Sequence, residues 1–110
     1  DKLTFSVIGG REVSLTPADI LCFERSGRTT NIVTVYGRYP IWDKLSAVME
    51  RLPQLDFVRC HNSYIVYLPA VREMFPDSFI LNDGRKVMIS RSYRKSAKAA
   101  FMKWAVIQIS

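Results

Sequence analysis

The chain has 110 residues, a hydrophobic share of 48% and a formal net charge of +6 at pH 7. That length and composition suit one folded domain with a single core, and they exclude a disordered chain. No run approaches the ~20 apolar residues of a membrane-spanning helix. Asp1-Lys2-Leu3-Thr4 shows neither a signal-peptide pattern nor an initiator Met, so the start is expected to be a cut within a longer chain.

Leu3 to Ile8 alternates apolar and polar residues as a half-buried strand does, and Gly9-Gly10 signals a turn before Glu12 to Leu15. With no Lys-Ser/Thr pair after it, Gly9-Gly10 is not a phosphate loop. Asp19 to Glu24 and Asn31 to Tyr36 read as two further strands, joined by the polar segment Ser26-Gly27-Arg28-Thr29-Thr30. Ile41, Trp42, Leu45, Val48, Met49 and Leu52 recur with helical period, which predicts an amphipathic helix ended by Pro53. That stripe reads as core packing.

Strands are expected again at Phe57 to Cys60 and Tyr64 to Leu68. Ser78 to Leu81 and Lys86 to Ser90 flank Asn82-Asp83-Gly84-Arg85, whose Asp-Gly is a strong hairpin signal. Tyr93 to Trp104 is expected to be a short helix, with Ala97, Ala100, Phe101 and Trp104 on one side. The apolar tail, Ala105 to Ile109, leaves two roles open, packing on the domain or contact within an oligomer. With no repeat or linker, the expectation is a single domain over residues 1–110, mostly β with short helices.

Charge is distributed unevenly. Asp1 to Leu55 holds seven basic and six acidic residues, a balance of +1, whereas Asp56 to Ser110 holds nine and four, a balance of +5. After Asp83 there is no acid, while Arg85, Lys86, Arg91, Arg94, Lys95, Lys98 and Lys103 follow. A one-sided positive field attracts polyanions, of which nucleic acid and anionic membrane are the leading classes.

Motifs for catalysis are missing. His61 is the single histidine, and no C-x-x-C or H-x-x-x-H spacing offers a zinc site. Cys60 and His61 are adjacent, so in a strand they point to opposite faces and cannot act as nucleophile and base. G-x-S-x-G, Walker and G-x-G-x-x-G patterns are absent from the sequence. No enzyme activity, cofactor or metal is expected. Cys22 and Cys60 both lie in apolar, strand-like stretches and read as reduced structural thiols, in keeping with a cytoplasmic protein.

Two polar segments interrupt this apolar pattern, Arg59-Cys60-His61-Asn62-Ser63 and Ser90-Arg91-Ser92-Tyr93-Arg94-Lys95. Arg, Asn, Ser and Lys are the types that contact base edges and phosphates. The run from Phe57 through His61-Asn62-Ser63 to Val66 resembles the signature of LytTR domains. Asp19 to Glu24 resembles their early strand, and Asp83 to Lys95 their closing hairpin and Ser-Arg motif.

The resemblance extends over Leu3 to Lys98. It departs at Tyr67, where the family usually has Asn, and at Thr30, where relatives can have His. It implies an elongated stack of small antiparallel β-sheets with short helices, whose loops enter successive major grooves of duplex DNA. By position it assigns base contacts to Thr30, Asn62 and Arg91, and phosphate contacts to Arg59, His61, Ser63, Arg94 and Lys95. It further implies the output domain of a bacterial two-component response regulator, behind a receiver domain, binding as a dimer on paired short repeats and away from membranes.

From the residues alone, other readings stay open. Asn62 can cap a turn, Ser63 can satisfy backbone donors, His61 can be a core histidine, and Arg91 can be solvated. A β-rich single-stranded nucleic-acid binder would show clustered aromatics on a sheet face, whereas Tyr36, Tyr39, Tyr64, Tyr67 and Tyr93 are scattered. A protein-interaction or membrane-surface module built on the basic C-terminal helix is a third class.

Overall fold

Apolar doublets recur at Cys22-Phe23, Ile32-Val33, Phe57-Val58 and Ile65-Val66, and neighbours in a strand face opposite ways. Such strands need cover on both sides. The computed structural model, which describes residues 1–109, supplies that cover. β3 (Ile20–Ser26), β4 (Thr29–Thr34), β5 (Gly37–Ile41), β6 (Phe57–His61) and β7 (Tyr64–Tyr67) form an antiparallel sheet in the order β5-β4-β3-β7-β6. On one face lie the hairpin of β1 (Leu3–Val7) and β2 (Arg11–Leu15) and the helix α1 (Leu45–Arg51). On the other lie β8 (Val71–Phe75), β9 (Ser78–Leu81) and β10 (Lys86–Met88), with the helix α2 (Arg94–Ile109).

The doublets split between two cores, one on each face of the central sheet, where the length and composition led to the expectation of one, and they split as their parity demands. Phe23, Ile32, Phe57 and Ile65 join Phe5, Leu15, Leu45 and Val48 on the α1 side. Cys22, Val33, Val58 and Val66 join Phe79, Leu81, Val87 and Ala97 on the α2 side. A bulge between Ile20 and Cys22 lets Ile20 fall on the α1 side instead. The stacking gives a body of 40 × 30 × 26 Å, the elongated arrangement of small antiparallel sheets that the sequence resemblance implies.

Four features differ from expectation. Ile41 belongs to β5, paired with Thr30, and α1 begins only at Leu45. Ile41 is buried with the helix residues, so it fits their periodicity while being extended. β5 itself was not expected, because Pro40 weakens a strand signal; it is an edge strand, where Pro is tolerated. β8 was also unexpected, being another edge strand whose Arg72 and Glu73 are exposed. The apolar tail continues α2 rather than forming a separate segment.

Candidate nucleic-acid interface

β3 turns into β4 through Gly27-Arg28, and Gly27 sits at φ 59, a left-handed conformation that suits glycine at the first position of a tight hairpin turn. β7 runs beside β3 in antiparallel register, Glu24 opposite Tyr64. The Arg25 amide then donates to the Ser63 carbonyl at 2.7 Å. The register therefore brings the β3–β4 turn and the β6–β7 turn, Asn62-Ser63, to one end of the central sheet. The Ser90 amide donates to the Cys60 carbonyl at 3.0 Å and ties a third segment there, where the 3₁₀ turn Arg91–Tyr93 leads into α2.

Asn62 and Arg91 are exposed, and neither side chain makes a hydrogen bond or ion pair among the described residues. Arg94 and Lys95, also exposed and unpaired there, open α2. Arg59 is half-buried. Its Nε donates to the His61 carbonyl at 3.2 Å and its terminal nitrogen to the Asn62 carbonyl at 2.7 Å, so it braces the turn that presents Asn62. His61 accepts the Ser63 amide at Nδ1, 3.0 Å, and its ring lies 4.8 Å from that of Tyr64. The neutral ring then carries its proton on Nε2 as a donor. Ser63 is half-buried, with both backbone polar groups satisfied inside the loops.

Thr30 does not reach the surface. It is 0% exposed, donates to the Asp43 carbonyl at 2.7 Å and accepts from Arg25 at 3.0 Å. The expected base contact at Thr30 is thus corrected. Its side chain shares a face with Ile32, under the segment leading into α1, and its hydroxyl is spent inside. At that loop Arg28 is the exposed cation, and no described residue bonds to its side chain.

Arg25 and Lys44 were not expected at the interface. One terminal nitrogen of Arg25 donates to Thr30 Oγ1 and to the carbonyls of Trp42 and Asp43, at 3.0–3.2 Å. A cleft of about 320 Å³ beside it is lined by Arg25, Lys44, Ser46, Arg59 and Asn62. Three cations facing one small cleft, with no acid lining it, make a seat for an anion. Residues far apart in sequence build it, so no motif signals it.

The first turn of α2 holds Arg94 and Lys95 and no acid, and its last turn holds no base. The two cations run against the helix dipole, since partial positive charge already accumulates at the N-terminus. Arg94 and Lys95 therefore do not serve helix stability, and an anion docked at that end would interact favourably with both cations and the dipole. Cys22 and Cys60 are free and buried, and burial pushes both thiols up to about 12. No cluster of three or more His, Cys, Asp or Glu side chains suited to a metal occurs among the described residues. No described helix is long and apolar enough to cross a membrane.

Comparison with known proteins shows the family and agrees with the fold. The family profile described as the LytTr DNA-binding domain matches residues 10–102. The sensory transduction protein LytT of Bacillus subtilis (strain 168) is 31% identical over 102 residues, covering 88% of this chain and 42% of that protein. The transcriptional regulatory protein NatR of the same organism is 34% identical over 58 residues, 53% of this chain and 25% of that protein. A solved LytTr DNA-binding domain, of a putative methyl-accepting/DNA response regulator from Bacillus cereus, superposes with a TM-score of 0.80 at 20% identity. That match covers 90% of this chain and 94% of the solved one, and it speaks for the fold. The chain spans less than half the length of the curated relatives it matches.

Proposed function

Starting from a chain that belongs to the LytTR family of DNA-binding domains, we propose that its three-loop end reads duplex DNA in the major groove as the output part of a response regulator. Asn62 and Arg91 are the base readers. Each projects from a braced loop with its side chain uncommitted among the described residues. Arg28 takes the place at the β3–β4 turn that Thr30 cannot fill. Arg59, His61, Ser63, Arg94 and Lys95 hold phosphates, and Lys44 and Ser46 add a phosphate seat at the cleft that Arg25 and Arg59 share.

The observation that carries this reading is the pair of cations in the first turn of α2. Two cations at a helix N-terminus cost stability in isolation, and a polyanion docked there offsets that cost. In the full-length protein a receiver domain would precede this one, and two copies would occupy paired short repeats as a dimer in the cytoplasm. Catalysis has no part in this role. The test is selection of duplexes from a random pool, followed by titration of the selected duplex, a scrambled duplex and a single strand. A selected duplex should bind at least 10³-fold more tightly than the scrambled one. Equal binding of all three would overturn the reading.

A further inference from the structure

α2 and the turn between β8 and β9 enclose a second concavity, of about 320 Å³, the lower end of the range for small-ligand sites. Its walls are apolar. Met74 and Phe101 pack partly against the α2-side core, while Phe75 and Met102 stay 47% and 52% exposed beside Pro76. Its rim is cationic. Arg94 and Lys98 stand one helical turn apart on the same face of α2, and neither has an ion-pair partner among the described residues. No acid lines the groove; Asp77, in the same turn, is near Ser78 Oγ at 3.4 Å.

We propose that this groove binds a small amphipathic carboxylic acid, with its aryl or branched alkyl body against Phe75, Phe101 and the two methionines and its carboxylate between Arg94 and Lys98. Like charges at this helical spacing repel, and an anion bridging them removes that cost. Burying the exposed aromatic and thioether groups supplies the apolar part of the binding. A duplex has no apolar body to fill such a groove, and the volume suits a small molecule rather than a partner's helix.

One consequence rests on the DNA reading above. A carboxylate held by Arg94 withdraws that guanidinium from phosphate, so ligand and duplex oppose each other, each weakening the other by the same factor.

Methyl-labelled methionine gives a direct test, because the chain has four. Met74 and Met102 line the groove. Met49 packs on the α1-side core, and Met88 is exposed beside buried Val87, on the opposite face of its strand. 4-Phenylbutyrate is titrated in parallel with 4-phenyl-1-butanol, its uncharged counterpart. Saturable shifts of Met74 and Met102 are expected, with Met49 and Met88 unmoved and the alcohol severalfold weaker. Lys98→Ala, an exposed change that spares the core, should weaken the acid severalfold and leave the alcohol unaltered.

Shifts of all four methyls together, shifts that never saturate, or equal affinity for acid and alcohol would overturn the site. Saturating acid should also weaken a selected duplex severalfold. Saturable methyl shifts with unchanged duplex affinity overturn the coupling through Arg94. A chain that binds no duplex overturns the DNA reading instead, and the methyl titration still decides the groove.

Discussion

Arg25 and Ser63 are joined through the backbone, amide to carbonyl at 2.7 Å, and this bond fastens the β3–β4 turn to the loop that carries Asn62. The guanidinium of the same arginine fastens both to the segment ahead of α1. Position at the interface is thus set by a residue that is itself half-buried. Arg25→Lys keeps the charge and loses the planar fork. It should destabilise the domain by about 1–3 kcal/mol, leaving the Trp42 and Asp43 carbonyls and the Thr30 hydroxyl less well satisfied. Urea unfolding measures that loss. A Lys variant as stable as the parent would show that the network positions nothing.

Reading and holding should separate at Arg91 and Arg94. A guanidinium in the major groove donates two bonds to guanine O6 and N7, whereas phosphates carry no sequence information. Arg91→Ala is expected to cost roughly 1–3 kcal/mol on the selected duplex and to narrow its margin over scrambled DNA. Arg94→Ala should weaken both duplexes alike. Titrations on the two duplexes decide, and equal weakening by Arg91→Ala makes Arg91 a phosphate anchor.

Salt dependence reports how many phosphates the interface neutralises. About seven contacts, each contributing roughly −0.9, predict a slope of log affinity against log salt near −6. Lys44→Ala should lower its magnitude by about one unit if the cleft beside Arg59 holds a phosphate. Anisotropy titrations at several salt concentrations give the number. A parent slope flatter than about −2 contradicts the interface.

The two cysteines should be silent at neutral pH. Burial raises both thiols from 9.0 to about 12, so almost no thiolate is present near pH 8. Labelling by a thiol reagent should be slow in the folded domain and fast in denaturant. The same shift predicts alkaline destabilisation. Between about 9 and 12 the unfolded thiols are ionised while the folded ones keep their protons, so stability falls as pH rises through that window. Melting temperatures across pH 8 to 11 test it, and Cys22→Ala/Cys60→Ala should flatten the decline.

Phe23 anchors the α1-side core, fully buried between Phe5 at 6.0 Å and Phe57 at 6.3 Å. Phe23→Ala should cost about 3–5 kcal/mol, the usual penalty for a large aromatic cavity. The shift of the urea midpoint at unchanged slope reads it out.

By itself the sequence determined the local elements whose signal is carried by neighbouring residues. The strands that became β3, β4, β6 and β7, the turns at Gly27 and Asp83-Gly84, and the basic run after Asp83 are all legible in it, whereas the cover on both faces of the central sheet is not. His61-Asn62-Ser63 and Ser90-Arg91 pointed to the family. Tertiary structure alone decided what depends on pairing across the chain. Edge strands β5 and β8 exist because a neighbour supplies their hydrogen bonds, although Pro40 and the charged Arg72-Glu73 weaken their own pattern. Thr30 and Arg28 lie in one polar segment, yet strand parity turns Thr30 inward onto Asp43, while the hairpin tip leaves Arg28 in solvent. Arg25, Lys44 and Arg59 come to one cleft only because β3, the approach to α1 and β6 end together. Side-chain direction in a strand is fixed by register, and register is a property of two strands, which no single stretch of sequence contains.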